Sequence, residues 1–278
     1  IYRAGSVTKP FTATAIMQLA EQKSLDIDRP FVESLPAFSI QSRFQSAQES
    51  VNARMLMCHH SGLQTNLQKG MWTDTPFVEV TAKLRGEHAA FPPGRIFSYS
   101  NVGYDLLGHA IQHLSGTPYA QYMQQALFRP LGMGSTGFRL NEEQNNRFAV
   151  GYLEGNPSAP LPIRDVPAMG IYTSARDLSQ YMRMLLNEKE SLLRKGSIKE
   201  MMKHQGGNIA KEFGVSTGLG WFIKDHWSGT KLISHGGNTL LYAADMAILP
   251  EHGLGVAILA NQSGSRQLIS KIGRIVLD

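Results

Sequence analysis

A hydroxyl and an amine lie three residues apart in the stretch AGSVTKPF near the start of the sequence. On a helix, Ser6 and Lys9 would share one face and lie within contact distance. A serine becomes a strong nucleophile only when a base removes its proton, and a lysine can be that base when desolvation or nearby positive charge lowers its pKa. The pair therefore predicts a nucleophile with its base. The alternative is that Ser6 only caps the helix.

The Ser-x-x-Lys spacing occurs a second time, at Ser228 and Lys231. Gly229 indicates a hairpin turn there, and side chains three residues apart in a turn need not meet. The helical context of Ser6 favours the first pair as the chemical one.

A second candidate group lies in the stretch PPGRIFSYSNVGYDLLG. The hydroxyl of Tyr99 near a lysine could be held as phenolate or share a proton, and so move protons between nucleophile and leaving group. Asn101 can donate and accept hydrogen bonds with a substrate amide. Alternatively, Tyr99 packs in a loop and Asn101 caps the next helix. A similar Ser50-Val-Asn52 is explained by Asn52 capping its own helix.

A third group is the His-Gly-Gly of LISHGGNTLLY, at His235, Gly236 and Gly237. Glycines remove the side-chain barrier and let backbone approach a ligand closely. The amides that follow His235 could then stabilise a developing oxyanion. The alternative is a glycine-rich turn with an incidental histidine.

A metal site is the remaining possibility, because Asp105, His109 and His113 follow at intervals of four on one predicted helix. Position 110 is alanine, so the glutamate of a zinc-protease motif is missing. We therefore expect a solvated helix face and no metal. Cys58 is the single cysteine, which excludes an internal disulfide and a thiolate cluster.

The hydrophobic pattern predicts the elements that carry these groups. Apolar residues four apart predict a helix after Ser6 (Val7, Phe11, Ala15 and Leu19). A helical, loop-rich region follows to about residue 140. Four strands are predicted near the C-terminus, in GLGWFI, TKLISHG, LYAADMAIL and LGVAILAN, before a last helix in SRQLISKIGRIVLD. Short connections between these strands predict antiparallel hairpins and an α+β fold.

Composition narrows the classes of protein. The 278 residues are 42% hydrophobic and 18% charged, as expected of a globular protein. The net charge of +5 comes from scattered Lys and Arg, so we expect no nucleic-acid partner. No apolar run is long enough to predict a transmembrane segment. The first residue is not Met, and we expect that the natural N-terminus is missing.

Taken together, SVTK, YSN and HGG occur in that order, accompanied by HHSGL, PLGMGSTGF and MGIYTSARDLSQYMRMLL. With these motifs the sequence resembles the serine β-lactamase-like superfamily, in the branch of class C β-lactamases, D-alanyl-D-alanine carboxypeptidases and related esterases. The resemblance runs through essentially the whole chain. It implies that Ser6 is the acylated nucleophile, Lys9 its proton acceptor and Tyr99 a proton relay.

The resemblance also implies the substrate-binding residues. Asn101 would orient Lys9 and the substrate amide, and the backbone amides of Ser6 and Asn238 would form the oxyanion hole beside Gly236 and Gly237. His235 stands where many relatives carry the lysine of a Lys-Thr-Gly motif. Because histidine is largely neutral at pH 7 on its ordinary pKa, it would hold a substrate carboxylate less firmly than lysine. No metal or organic cofactor is implied.

The fold implied is one β-lactamase-like catalytic domain over residues 1–278. Residues 1–25 and 165–278 would form an antiparallel sheet flanked by helices, and residues 26–164 a mainly helical subdomain, with the site between them. In the family, strands precede the nucleophile helix. We expect them to be absent here, which would leave an unpaired sheet edge. A periplasmic or extracellular location is favoured by the same resemblance.

The function predicted is that of a serine hydrolase acting through an acyl-enzyme. Its substrate would be a small molecule or short peptide with an amide or ester carbonyl, such as a β-lactam, a D-alanyl peptide or a small ester. A penicillin- or peptide-binding protein that acylates without turnover, and a non-catalytic scaffold, are the alternatives.

Overall fold

A computed structural model describes residues 1–44, 47–186, 192–206 and 216–278. The fold is α+β, as the sequence predicts. The strands are β1 (Tyr2–Arg3), β2 (Gly151–Leu153), β3 (Asn156–Ser158), β4 (Tyr172–Thr173), β5 (Ser216–Thr217), β6 (Phe222–Asp225), β7 (Lys231–Asn238), β8 (Ala243–Leu249) and β9 (Leu254–Ala260). The helices of the first half are α1 (Thr8–Glu21), α2 (Phe31–Ser34), α3 (Ala47–Ser50), α4 (Ala53–Met57), α5 (Glu79–Leu84) and α6 (Asn101–Ser115). Those that follow are α7 (Tyr119–Met123), α8 (Glu142–Asn146), α9 (Val166–Met169), α10 (Ala175–Leu186), α11 (Lys195–Met201) and α12 (Arg266–Leu277).

The main sheet is an antiparallel meander in the order β5-β6-β7-β8-β9, so each strand pairs with the next in sequence. The prediction of antiparallel hairpins is confirmed. The predicted number of four strands is wrong, because the short β5 adds a fifth. The strand expected in GLGWFI begins only at Phe222, since Gly220 adopts φ +83° in the turn before it.

Alternating residues of β7 and β8 face opposite sides of the sheet, and helices cover both. On one side Leu232, Ala247 and Leu249 pack with Leu277 of α12. On the other side Ile233 and Ile248 belong to the main core that α1 and α10 share. Strands β5 and β9 are the sheet edges. The division into a sheet-bearing part and a helical part remains a prediction.

The helix predicted after Ser6 is confirmed as α1, and it is buried from Thr8 to Leu19. Two of its threonines bond to buried phenols: Thr12 Oγ1 lies 2.8 Å from the hydroxyl of Tyr119, and Thr14 Oγ1 2.8 Å from that of Tyr181. These bonds explain why a helix can be enclosed although its polar residues are not confined to one face. The helix that follows the candidate nucleophile is therefore bonded to its surroundings through its buried threonines.

The cap predicted at Asn52 is confirmed, because its Oδ1 accepts a hydrogen bond of 2.8 Å from the amide of Met55.

None of the helices in the described ranges combines the length and the apolarity needed to cross a bilayer.

Candidate active site

Ser6 lies in a 3₁₀ turn, Gly5–Val7, that leads directly into α1. Its side chain does not cap that helix: Val7 occupies the N-cap position and makes no side-chain cap bond. The capping alternative for Ser6 is therefore wrong. Gly5 allows the turn, because it adopts φ +52° and a Cβ there would lie 2.8 Å from the backbone nitrogen and oxygen of Asn238.

The side chain of Lys9 is completely buried and points at three oxygens. Its Nζ lies 3.1 Å from Ser6 Oγ, 2.6 Å from Asn101 Oδ1 and 3.0 Å from the carbonyl oxygen of Ala168. The Ser6–Lys9 contact expected from the spacing is thus present in the structure.

Burial lowers the pKa of Lys9 to about 7, because an ammonium loses its hydration in the interior. Asp105 and Asp165, wherever they are ionised, act in the opposite direction and are the smaller effect. A substantial fraction of the amine is therefore uncharged near neutral pH. An uncharged amine has a lone pair that can accept the proton of Ser6.

Tyr99 lies beside this pair, with its ring centroid 4.7 Å from Lys9 Nζ. Burial raises the pKa of Tyr99 well above its ordinary value, although a hydrogen bond with Ser6 opposes the shift. The hydroxyl is accordingly a neutral phenol. Of the two forms left open by the sequence, this environment disfavours phenolate and favours a phenol that passes a proton.

Asn101 is the first residue of α6, but Ser100 is its N-cap, since Ser100 Oγ accepts a 3.0 Å bond from the amide of Gly103. The capping alternative for Asn101 is wrong. The carboxamide instead accepts from Lys9 through Oδ1 and donates through Nδ2 to Asn66 Oδ1 at 2.7 Å. Asn66 lies in a loop outside every quoted motif, so the sequence carried no signal for it.

The ring of Tyr99 packs against the ring of His59 at a tilt of 32°, with ring centroids 4.2 Å apart. His59 adopts φ +63°, and its Nδ1 accepts a 3.0 Å hydrogen bond from the amide of Ser100. Burial and the neighbouring Lys9 hold its pKa well below the ordinary value, so the imidazole is neutral. Sequence reasoning missed this contact, although His59 belongs to the quoted HHSGL.

His235 lies on β7, buried, with its ring centroid 6.4 Å from that of Tyr99 and 5.2 Å from that of Phe222. Its Nδ1 donates to the carbonyl of Gly236 at 2.8 Å, and its Nε2 has no hydrogen-bond partner in the part of the chain that the structure describes. Burial, with the positive charge of Lys9 as a smaller cause, lowers the pKa of His235 to about 3. The ring is therefore neutral at physiological pH. Its charge differs from that of a lysine even more than the charge of an ordinary histidine does.

The space left by the missing side chains of Gly236 and Gly237 is filled by other parts of the protein. From the sequence, we expected a ligand to approach the backbone there. A Cβ on Gly237 would lie 1.8 Å from the carbonyl oxygen of Ala4 and 3.1 Å from the amide nitrogen of Ser6. A Cβ on Gly236, on the opposite face, would lie 1.6 Å from the guanidinium of Arg266. Gly237 is thus what allows β7 to pack against the turn that carries Ser6.

The remaining sequence candidates take no part in the contacts around Ser6. Ser228 Oγ bonds to His226 Nδ1 at 2.8 Å in a turn, as expected for the second Ser-x-x-Lys. Asp105 is buried, so the expected solvated face is wrong for that residue, and His109 Nδ1 bonds to Thr81 Oγ1 at 2.8 Å. Within the described ranges, no group of three His, Cys, Asp or Glu is arranged to hold a metal.

The model of the beta-lactamase family matches residues 1–277. The chain belongs to this family. The resemblance predicted from the three motifs is therefore confirmed.

Among relatives of this beta-lactamase-family chain, protein flp of Staphylococcus aureus (strain MRSA252) is 26% identical over 268 residues. These cover 94% of this chain and 52% of flp, so the chain spans about half the length of that relative.

Solved structures with the same fold include the octameric penicillin-binding protein homologue from Pyrococcus abyssi. It has a TM-score of 0.84 and 30% identity, over 99% of this chain and 65% of that one. The β-lactamase/D-alanine carboxypeptidase from Yersinia pestis has a TM-score of 0.79 and 22% identity, over 97% and 83% of the two chains. The second likeness shows the fold alone.

Proposed function

We propose that this protein is a serine hydrolase that forms an acyl-enzyme on Ser6. The observation that carries the proposal is the 3.1 Å contact between Ser6 Oγ and the buried Lys9 Nζ. A nucleophile within hydrogen-bond reach of a base, with that base oriented by a third group, is the arrangement that covalent catalysis requires. Here Asn101 and the carbonyl of Ala168 orient the base.

In the proposed acylation, Lys9 takes the proton of Ser6 as Oγ attacks the carbonyl carbon of an ester or amide. The amides of Ser6 and Asn238 stabilise the oxyanion. The carbonyl then re-forms as the bond to the leaving group breaks, and the leaving group receives a proton by way of the Tyr99 phenol. In deacylation the same groups activate water, which attacks the acyl carbon and returns Ser6 as a free hydroxyl.

The substrates proposed are small molecules or short peptides with an ester or amide carbonyl. Neutral His235 replaces the cation that would pair with a substrate carboxylate. We therefore favour substrates that carry no carboxylate at this point over penicillin-like molecules that carry one. Acylation by penicillin without turnover is the second candidate, supported by the likeness to a penicillin-binding protein homologue.

The test uses a fluorescent penicillin and a fluorophosphonate as labels, with a chromogenic cephalosporin and a short-chain p-nitrophenyl ester as substrates. Ser6→Ala is the control for every reaction. We expect labelling that depends on Ser6 and turnover that is faster for the ester. Labelling by penicillin without turnover would identify the second candidate. No labelling by either reagent would falsify the hydrolase proposal.

A further inference from the structure

A buried carboxyl group lies beneath Lys9 and has no part in the chemistry proposed above. Asp105 is one turn beyond Asn101 on α6 and is 1% exposed. Neither of its carboxyl oxygens receives a hydrogen bond from an N–H or O–H group among the described residues. The group that it meets is the carboxyl of Asp165.

Asp165 is itself fully buried and forms an ion pair with Arg164, whose side chain is also buried. The guanidinium Nε of Arg164 donates to Asp165 Oδ1 at 2.6 Å. The second oxygen, Oδ2, receives no hydrogen bond from any described residue. Two carboxyl groups in contact in a buried place do not both ionise. Because Arg164 stabilises the anion on Asp165, the proton belongs on Asp105, where it can be donated to the vacant oxygen of Asp165.

Burial and the charge of Asp165 agree with this assignment, since both raise the pKa of Asp105 well above its ordinary value. Tyr119 on α7 also interacts with Asp105, and burial raises the pKa of this phenol well above its ordinary value, so it is neutral. Among the described residues, the charged groups that act on Asp105 are Asp165, Arg164 and, when it is protonated, Lys9.

The segment that begins with Arg164 and Asp165 also positions Lys9 through a hydrogen bond. The carbonyl of Asp165 accepts the amides of Ala168 at 3.1 Å and Met169 at 3.0 Å, which form the turn of α9. That turn presents the Ala168 carbonyl to Lys9 Nζ. Arg164 fixes the start of the turn by donating to the carbonyls of Leu67 and Lys69.

We propose that Asp105 is a positioning residue held as a neutral acid, and that the proton it shares with Asp165 keeps the net charge beneath Lys9 at zero. With Asp105 neutral, the charges of Asp165 and Arg164 cancel. If both aspartates were ionised, one uncompensated negative charge would favour the ammonium form of Lys9 and remove the base at neutral pH. The inference rests on the proposed role of Lys9 in acylation, and the protonation state of Asp105 is testable without it.

The test is carbon NMR on the chain labelled in its aspartate carboxyl groups and lysine Cε, with Asp105→Asn to assign the signal of Asp105. We expect this signal to have the shift of a protonated acid and not to titrate between about pH 5 and pH 9, far above the ordinary range for aspartate. We expect the titration midpoint of Lys9 to be the same in wild type and Asp105→Asn, because an amide also donates to Asp165 without changing the charge. A fall in that midpoint by about one unit or more would mean that Asp105 carries a negative charge, and would overturn the proposal.

Acylation rates separate positioning from simple packing. Asp105→Asn keeps a donor to Asp165 and should retain most of the rate, whereas Asp105→Leu leaves a buried anion without its donor and should slow acylation about tenfold. Equal rates in the two variants would contradict a positioning role. If Asp105→Leu does not fold, the NMR titration still decides. If no substrate acylates Ser6, the proposed function fails while the protonation state of Asp105 is read independently.

Discussion

Lys9 Nζ lies 2.6 Å from Asn101 Oδ1, closer than the 3.1 Å that separates it from Ser6 Oγ. The carboxamide is itself fixed by its hydrogen bond to Asn66. It therefore holds the amine of Lys9 in place at the first turn of α1, which is buried from Thr8 to Leu19. The longer contact is the one along which a proton would move. The base is thus positioned by a partner other than the nucleophile.

The rate of acylation should rise with pH, with a midpoint close to the pKa of Lys9, about 7. The reason is that only the uncharged amine accepts a proton from Ser6. Single-turnover labelling with a p-nitrophenyl ester from pH 5.5 to 8.5, roughly one and a half units either side of the midpoint, measures this profile. A rate that falls over the same range would contradict the assignment of Lys9 as base.

Lys9→Ala and Tyr99→Phe should each slow acylation by roughly two to four orders of magnitude, as expected when a general base or a proton relay is lost. Lys231→Ala is the matched control. It removes the lysine of the second Ser-x-x-Lys, which pairs with Asp225 on the surface, and should leave the rate unchanged. Losses below about tenfold for both site variants would count against their roles.

His235→Lys should increase acylation by penicillin relative to the p-nitrophenyl ester, because it places a cation where a substrate carboxylate would bind. The same cation should lower the pKa of Lys9 by like-charge repulsion and move the midpoint of acylation to lower pH. His235→Gln, which stays neutral, is the control and should do neither. An unchanged penicillin-to-ester ratio in His235→Lys would refute the carboxylate argument.

Gly237→Ala should destabilise the protein more than Gly236→Ala. The added methyl at Gly237 meets the rigid backbone carbonyl of Ala4, and a cost of about 3 kcal/mol is expected for such overpacking. At Gly236 it meets the far end of the Arg266 side chain, which can move, so a cost of about 1 kcal/mol is expected. Urea unfolding measures both, and the reverse order would show that Gly237 does not set the approach of β7 to Ser6.

The burial of Lys9 should also appear in the stability of the protein. The pKa of Lys9 falls from 10.5 to about 7 on folding, so between these values the unfolded chain binds more protons than the folded one. The free energy of unfolding should therefore rise with pH across this window, and the increment is lost progressively as pH falls from about 10.5 to about 7. Lys9→Met lacks the group, and the difference between wild type and Lys9→Met isolates its contribution. A difference that stays constant with pH would mean that Lys9 is not desolvated.

The sequence predicted what depends on local spacing. Ser6 and Lys9 meet because they are three residues apart at the start of a helix, and β7, β8 and β9 follow from alternating apolar runs between turns. The turn at Gly220 and the second face of α1 depend on tertiary packing and were not predicted. The same is true of the N-cap positions of α1 and α6, which are occupied by Val7, without a side-chain cap bond, and by Ser100.

The electrostatics of the site were the least predictable part. Whether Lys9 is charged depends on its burial and on Asp165, which lies 156 positions away in the sequence and in no quoted motif. His59 joins Tyr99 through a backbone conformation with positive φ that the HHSGL motif does not reveal. His235 is neutral because its neighbours bury it and lower its pKa to about 3. From the sequence, with the ordinary pKa of histidine, we predicted a smaller loss of charge.

The groups that surround Lys9 come from widely separated parts of the chain, with Asn101 92 residues later and Ala168 159 residues later. During synthesis, Ser6 and Lys9 leave the ribosome long before β7 exists. Until then the amine is hydrated, keeps its positive charge and has no lone pair to offer. On the proposed mechanism, a nascent chain that contains Ser6 but not yet Asn101 and Ala168 therefore lacks its base, and reactivity waits for the segments that bury Lys9.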